Sequence, residues 1–361
     1  MHYTVPRFDP QADGVHPWRA RAVAICIPVR NEEVLLPASL DALAALETGP
    51  GMEVNFCFLL DGCRDRSAAL IAAFAQDSSR RVFTAATVDD GDSTAGRARA
   101  AAMDIGLRAL GVREGTALLT TDADTFPTRD WVSRTCRALR ISDVVAGRIV
   151  REDHGKDPIQ DRLELYFDRL YALRRVVDPV PWEDQNGHHH VGGASLAFRT
   201  EAYRALGSFQ PLESAEDATI VDDAHRMGLR VRRDRNVVVT TSSRRYGRAA
   251  NGLAHHLRAL AEDTAPIRVA HPQRAIWQYR AHALARASFG RIHEQGLVDS
   301  LAAWLMMPTD HIYRVGVSAR NAEAFATLAV PEAPGEERMI SLEEAEHEIA
   351  HLEQIPCDRA A

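Results

Sequence analysis

The sequence predicts a three-layer α/β domain with a mainly parallel sheet, followed by a mostly helical C-terminal region. Short apolar, β-rich runs alternate with segments of helical periodicity over the first 130 residues. Unusual polar residues gather where those runs end, and ligands of such sheets bind at the carboxyl ends of the strands. The chain, 361 residues and 46% hydrophobic, is long enough to bury a large core and to carry an appendage.

Taken in order, "RAVAICIPVRNEE" (21–33) is an apolar run that stops at Pro28 and passes into a loop. "VLLPASLDALAALE" (34–47) has apolar residues at helical spacing and meets the breaker "TGPG". The design repeats in "MEVNFCFLLDGCRDRS": a strand over 54–60, a polar loop holding Asp61, then a helix over 67–74. "RVFTAATVDD" supplies a third strand, "STAGRARAAAMDIGLRALG" an alanine-rich helix ended by Gly111, and "TALLTTDAD" a fourth strand. Beyond residue 131, "DVVAGRIV" (143–150) is a strand and 159–177 a helix with an aromatic-aliphatic stripe. A polar loop then leads into "VGGASLAFRTEAYRALGSF", and "ESAEDATIVDDAHRMGLRVRRDRNVVVTTSSRR" gives a helix and a strand. From about residue 250 the pattern is helical, with Trp277 and Trp304 expected in the core and Ser341 and Glu344 at capping-box spacing. The expected division is an extension over 1–20, the α/β domain over 21–250 and the helical region over 251–361.

A net charge of −7 carries no basic excess of the kind that nucleic-acid or membrane-surface binding uses. Lys156 is the only lysine, so arginine, backbone N–H groups or a metal must meet any phosphate. Cys26, Cys57, Cys63, Cys136 and Cys357 form no CxxC pair, and Cys26 and Cys57 lie in apolar runs as buried free thiols do. The N-terminus lacks an apolar signal core, and no apolar stretch approaches the ~20 residues that cross a bilayer. These features lead to the expectation of a soluble, cytoplasmic protein.

The chemistry centres on Asp122 and Asp124, one residue apart at the end of an apolar strand, with nothing basic beside them in sequence. Carboxylates crowded and desolvated in a turn call for a counter-charge, and hard oxygen ligands suit Mg²⁺ or Mn²⁺; the alternative is a solvated acidic turn. Asp61 either accepts hydrogen bonds from a nucleotide or caps the next helix. Gly96, Arg97 and Arg99 open the alanine-rich helix, where N–H groups and guanidinium can face a diphosphate, or the arginines are ordinary surface residues. Gly192 and Gly193 mark a close backbone approach, to a ligand or to a neighbouring strand. Glu216 and Asp217 are adjacent, so they do not flank a bond as a hydrolase pair ~5–9 Å apart does. One of them at a helix start is a candidate general base, against the plain reading of acids favoured by the macrodipole. Arg244 and Arg245 follow a strand and can close over phosphates. His255 and His256 are candidates for a third metal ligand or sit on a helix surface. The triplet His188–His190 cannot place all its rings on one ion, which argues against a metal site but still lets one of the three reach substrate.

In this order, the segments "IPVRNEE", "LLDGCRDRS", "AGRARAAAMDIGL", "TTDADT", "GGASLAFR" and "AEDATIVDDAHRMGLRV" resemble the family 2 glycosyltransferases of the GT-A fold, over roughly residues 21 to 248. The resemblance implies a nucleotide-sugar donor, a UDP- or GDP-sugar, with Pro28, Arg30, Glu32 and Asp61 near the nucleoside. It implies that Asp122 and Asp124 bridge Mn²⁺ or Mg²⁺ to the diphosphate, Asp124 more directly, and that Asp217 is the base of an inverting displacement. No Q-x-x-R-W motif of the processive synthases follows the E-D helix, which implies a single addition. The acceptor is not readable, and self-association is one use for the C-terminal region. The competing readings are a retaining transferase, which needs no Asp217 base, a nucleotidyltransferase, which would carry a glycine-rich loop after the first strand, and a non-catalytic nucleotide-sugar-binding protein.

Overall fold

The computed structural model describes residues 18–88, 91, 93–243 and 267–354. The chain falls into two compact units. Among the described residues, the first takes in those from 18 to 156, 190–222 and 231–243; the second takes in 157–189, 223–230 and 267–354.

The first unit is built on an eight-stranded sheet in the order β3-β2-β1-β4-β7-β6-β8-β5. The strands are β1 (Ala22–Val29), β2 (Glu53–Asp61), β3 (Arg81–Thr87), β4 (Thr116–Thr120), β5 (Thr125–Pro127), β6 (Val144–Arg151), β7 (Leu196–Arg199) and β8 (Val231–Thr241). Pairing is parallel across β3-β2-β1-β4 and between β6 and β8. It is antiparallel where β7 joins β4 to β6 and where β5 meets β8. Parallel strands are covered by helices on both faces and so are apolar throughout. β1 and β4 are buried accordingly, every residue of β4 and all of β1 except Pro28, with Thr116 and Thr120 as the polar ends of β4.

The helices α1 (Leu36–Ala44), α2 (Ser67–Asp77), α3 (Ala95–Leu110), α4 (Trp131–Ala138) and α6 (Thr200–Leu206) belong to this unit. Val23, Ile25, Ile27, Leu36, Leu43, Phe56, Phe58, Ile71, Leu119 and Trp131 lie in one apolar cluster at its core. Cys26 and Cys57 face each other across β1 and β2 as buried free thiols. A short 3₁₀ turn over Gly193–Ser195 precedes β7, and α7 (Glu216–Arg226) starts in this unit.

The second unit contains α5 (Pro158–Val177), α8 (Pro272–Ser288), α9 (Gln295–Leu305), α10 (Thr309–Ser318), α11 (Ala322–Ala329) and α12 (Leu342–Gln354). It also holds an antiparallel pair, β9 (Arg268–Ala270) with β10 (Met339–Ser341). The capping box forms as expected: Ser341 N–H donates to Glu344 Oε2 at 2.9 Å, and Glu344 N–H donates to Ser341 Oγ at 3.2 Å. Trp277 packs on the cluster of Leu301, Leu305 and Phe325. Trp304 departs from expectation. It is 40% exposed and stacks on Trp277 with centroids 5.4 Å apart, because its helix buries Leu301 and Leu305 on the inward face instead. No helix among the described residues is long and apolar enough to cross a membrane.

Candidate active site

The carboxyl ends of β1 and β2 are joined by side-chain to backbone bonds. Asn31 adopts φ 52°, a left-handed conformation that asparagine tolerates better than most residues. Its Oδ1 accepts from Arg64 N–H at 2.7 Å. Glu32 N–H donates to Ser67 Oγ at 2.9 Å and Glu33 N–H to Asp65 Oδ2 at 2.9 Å, while Cys63 Sγ donates to Val29 O. Glu32 is thereby buried, and Pro28 lies opposite Leu59 at the end of the β1–β2 ladder. Arg30 Nη1 meets Asp61 Oδ2 at 3.2 Å, and Thr87 Oγ1 donates to Asp61 Oδ1 at 2.8 Å. Ser93 adds a further hydroxyl to Oδ2. Thr87 and Ser93 escaped the sequence reading: strand pairing sets Thr87 opposite Asp61, and Ser93 comes from the segment just before the Thr94 N-cap of α3.

The carboxyl end of β4 is organised by Arg99, which is 7% exposed. Its Nη2 bonds Asp122 Oδ1 at 3.0 Å and its Nε bonds Glu216 Oε1 at 3.0 Å. Nη1 donates to Thr120 Oγ1 at 2.9 Å and to Gly193 O at 3.0 Å. Burial works against the cation, but the carboxylates of Asp122, Glu216 and Asp217 outweigh it and hold the guanidinium above its ordinary pKa. Burial raises the Glu216 carboxyl above its ordinary value, against the pull of Arg99 and with the help of Asp217.

These contacts change two expectations. Asp122 has a basic neighbour after all, supplied by a helix that begins more than twenty residues earlier. Arg99 is a buried residue rather than a surface one, and four of its five N–H donors are directed at protein acceptors instead of an open phosphate site. Gly96 is corrected in the same way. Its N–H donates to Leu212 O at 3.0 Å, and a Cβ there would stand 1.9 Å from Gln210 O, so it is a packing glycine rather than a diphosphate ligand.

The 3₁₀ turn before β7 closes the arrangement. A Cβ on Gly193 would lie 2.2 Å from Arg99 Cζ, and one on Gly192 would lie 2.6 Å from Ile149 Cδ1. Gly193 N–H donates to Asp217 Oδ2 at 2.9 Å. Ala215, just before α7, has φ 60°, which costs an L-residue about 1–2 kcal/mol and is kept where surrounding structure demands it. At the start of α7 the two acids part company: Glu216 is 4% exposed and faces Arg99, while Asp217 is only partly buried. Glu216 is thus the buried counter-ion of Arg99, whereas its place at a helix start had left it a candidate base alongside Asp217.

The Asp122 side chain is 33% exposed, and one of its oxygens is taken by Arg99. Asp124, half-buried, accepts through its carbonyl from Ser242 N–H at 3.2 Å. The carboxylates of Asp122, Asp124, Glu216 and Asp217 outnumber the guanidinium of Arg99, and hard oxygens in a partly open acidic turn fit a divalent ion. Arg244, Arg245, His255 and His256 lie outside the described residues.

Residues 24–204 match the family described as Glycosyl transferase family 2, which covers half of the chain. The chain belongs to that family. It is a glycosyltransferase of the GT-A fold, as the resemblance of its motifs implied. None of the curated proteins matches it. Two solved structures are similar at a distance. Residues 1–349 of TarS from S. aureus, in complex with UDP-GlcNAc, align at 14% identity and TM-score 0.47, covering 85% of this chain and 90% of that one. The mannosyltransferase PcManGT from Pyrobaculum calidifontis, in complex with GDP-Man and Mn²⁺, aligns at 19% identity and TM-score 0.47, covering 87% of each chain.

Proposed function

We propose that the transferase moves a sugar from a nucleoside-diphosphate donor to an acceptor hydroxyl, with inversion and with a divalent metal. The observation that carries the reading is the convergence of Asp122, the Gly192–Gly193 turn and the start of α7 on one buried arginine. Such an arrangement gathers a carboxylate-rich end for a diphosphate and a separate carboxylate for an acceptor.

In this reading Arg30, Glu32, Asp61 and the end of β1 at Pro28 border the nucleoside. Asp61 is pre-oriented by Arg30, Thr87 and Ser93, which favours recognition by a fixed rather than a mobile carboxylate. Asp122 and Asp124 would hold Mn²⁺ or Mg²⁺, which when bound neutralises charge on the departing diphosphate. Asp217 is the base. Its Oδ2 is held by Gly193 N–H and its Oδ1 by Ala218 N–H at 2.7 Å, so the carboxylate is aimed by backbone. It takes the proton of the acceptor hydroxyl as that oxygen attacks the anomeric carbon from the side opposite the leaving group. Glu216 stays behind it as the counter-ion of Arg99. Inversion is the outcome when Asp217 deprotonates the acceptor hydroxyl rather than attacking the anomeric carbon itself.

Calorimetry of UDP, GDP and the other nucleoside diphosphates, with and without MnCl₂, tests the donor and metal parts together. Metal-dependent binding of one of them is expected, and absence of any such binding would sink the proposal.

A further inference from the structure

Arg99 sits at the centre of the candidate site and yet points into the protein. We propose that Arg99 is a positioning residue of the transfer, which holds the diphosphate end of the site and the base in fixed relation without touching the donor. The inference rests on the function proposed above.

The contacts form a continuous path. Asp122 Oδ1 accepts from Arg99 Nη2 at 3.0 Å, and Arg99 Nη1 donates to Gly193 O at 3.0 Å. Gly193 N–H in turn donates to Asp217 Oδ2 at 2.9 Å. One residue therefore separates the buried guanidinium from the base, and none separates it from Asp122. A second arm, Nε to Glu216 Oε1 at 3.0 Å, anchors the first residue of α7, so that the helix carrying Asp217 is held at its origin. The Thr120 hydroxyl and the Phe209 ring, 5.9 Å from Cζ, fix the plane of the guanidinium.

The planarity of that group is what the task requires. A guanidinium presents its N–H donors in a rigid fork and can serve Asp122, Glu216 and Gly193 in different directions at once, whereas an ammonium is a point charge on a flexible stem. Gly193 is part of the same device, because a methyl group at its Cβ would stand 2.2 Å from both Cζ and Nη2 of Arg99. Displacement of the arginine from either end should have the same consequence. A misplacement of about 1 Å between reacting groups costs about 10²-fold in rate.

The test compares wild type with Arg99→Lys, Arg99→Met and Gly193→Ala. Thermal unfolding reports the fold, and calorimetry of UDP and GDP with MnCl₂ reports the donor side. Release of nucleoside diphosphate from UDP-N-acetylglucosamine or GDP-mannose reports kcat and KM. The expected result is a nucleoside-diphosphate affinity and KM within about threefold of wild type, with kcat down about tenfold in Arg99→Lys and about 10²-fold in Arg99→Met and Gly193→Ala. An unchanged kcat in folded variants overturns the inference, and so does a raised KM at unchanged kcat, which would make Arg99 a donor-binding residue. Should Arg99→Met fail to fold, Arg99→Lys and Gly193→Ala decide; failure of all of them to fold would leave Arg99 a structural residue and also overturn it. If wild type itself neither binds a nucleoside diphosphate with Mn²⁺ nor releases one, the function proposed above fails first.

Discussion

At the scale of single residues, neighbours in sequence prove to have opposite fates. Glu216 and Asp217 are adjacent acids at a helix start, and the macrodipole favours both equally. Tertiary packing separates them, one onto buried Arg99 and the other toward solvent. The consequence is measurable. Asp217→Asn should abolish turnover while nucleoside-diphosphate binding persists, and unchanged turnover would reject the base. Glu216→Gln keeps an oxygen for Arg99 Nε but loses a charge, so it should lower stability by about 1–3 kcal/mol and leave detectable turnover. Equal loss of activity in the two variants would contradict the division of roles. At the carboxylate turn, Asp124→Ala should remove the Mn²⁺ dependence of nucleoside-diphosphate binding with unfolding temperature preserved. Binding that stays metal-dependent would place the ion elsewhere.

At the scale of elements, α3 shows how a helix can be legible in sequence and its contacts illegible. The alanine-rich run, its Thr94 N-cap accepting from Arg97 N–H and its end at Gly111 are local features. Which turn of that helix meets which loop is not local. Gly96 permits the first turn to lie against Gln210 and Leu212, and a Cβ there would need the backbone of that segment to move. Gly96→Ala should therefore cost about 1–3 kcal/mol, as overpacking does, measured by urea unfolding. A helix interior otherwise gains up to about 1 kcal/mol from the same substitution, so a stabilised variant would show that the segment yields.

At the scale of the whole molecule, the second unit carries a buried ionic network that sets its response to acid. Arg286 bonds Glu323 at 2.9 Å and pairs with Asp178, and His225 Nδ1 meets Glu323 Oε1 at 2.9 Å. Against its burial, His225 and Arg286 hold the Glu323 carboxyl well below its ordinary value. His282 in the same surroundings is lowered to about 3, first by burial and then by Arg286 and Arg174, with Glu323 opposing. Both shifts destabilise in acid. The unfolded chain binds a proton at His282 below its ordinary value of 6.5, while the folded one does not until about 3, so stability drops between those limits. Glu323 adds a loss as pH falls below its ordinary value of 4.5. Urea unfolding at stepped pH should show the unfolding free energy falling as pH drops below 6.5, and His282→Asn, which cannot take up that proton, should flatten the fall. A slope unchanged by the substitution would mean that His282 titrates alike in both states.

The alternation of strand and helix, the free buried thiols of Cys26 and Cys57, the capping box at Ser341 and the family itself were all determined by the sequence. Each depends on short-range periodicity or on residue types that must recur in order. What only the tertiary structure decided is how distant residues meet. Arg99 pairs with Asp122, Gly193 and Glu216 across loops of unrelated length, and Thr87 reaches Asp61 only because β3 lies beside β2. Trp304, read as core from its composition, is exposed because packing chose the other face of its helix. Hydrophobic periodicity records which face of an element is buried, but it holds no information on which partner the remaining polar groups find. That is settled when the sheet brings strand ends together and a buried cation must be neutralised where it lies.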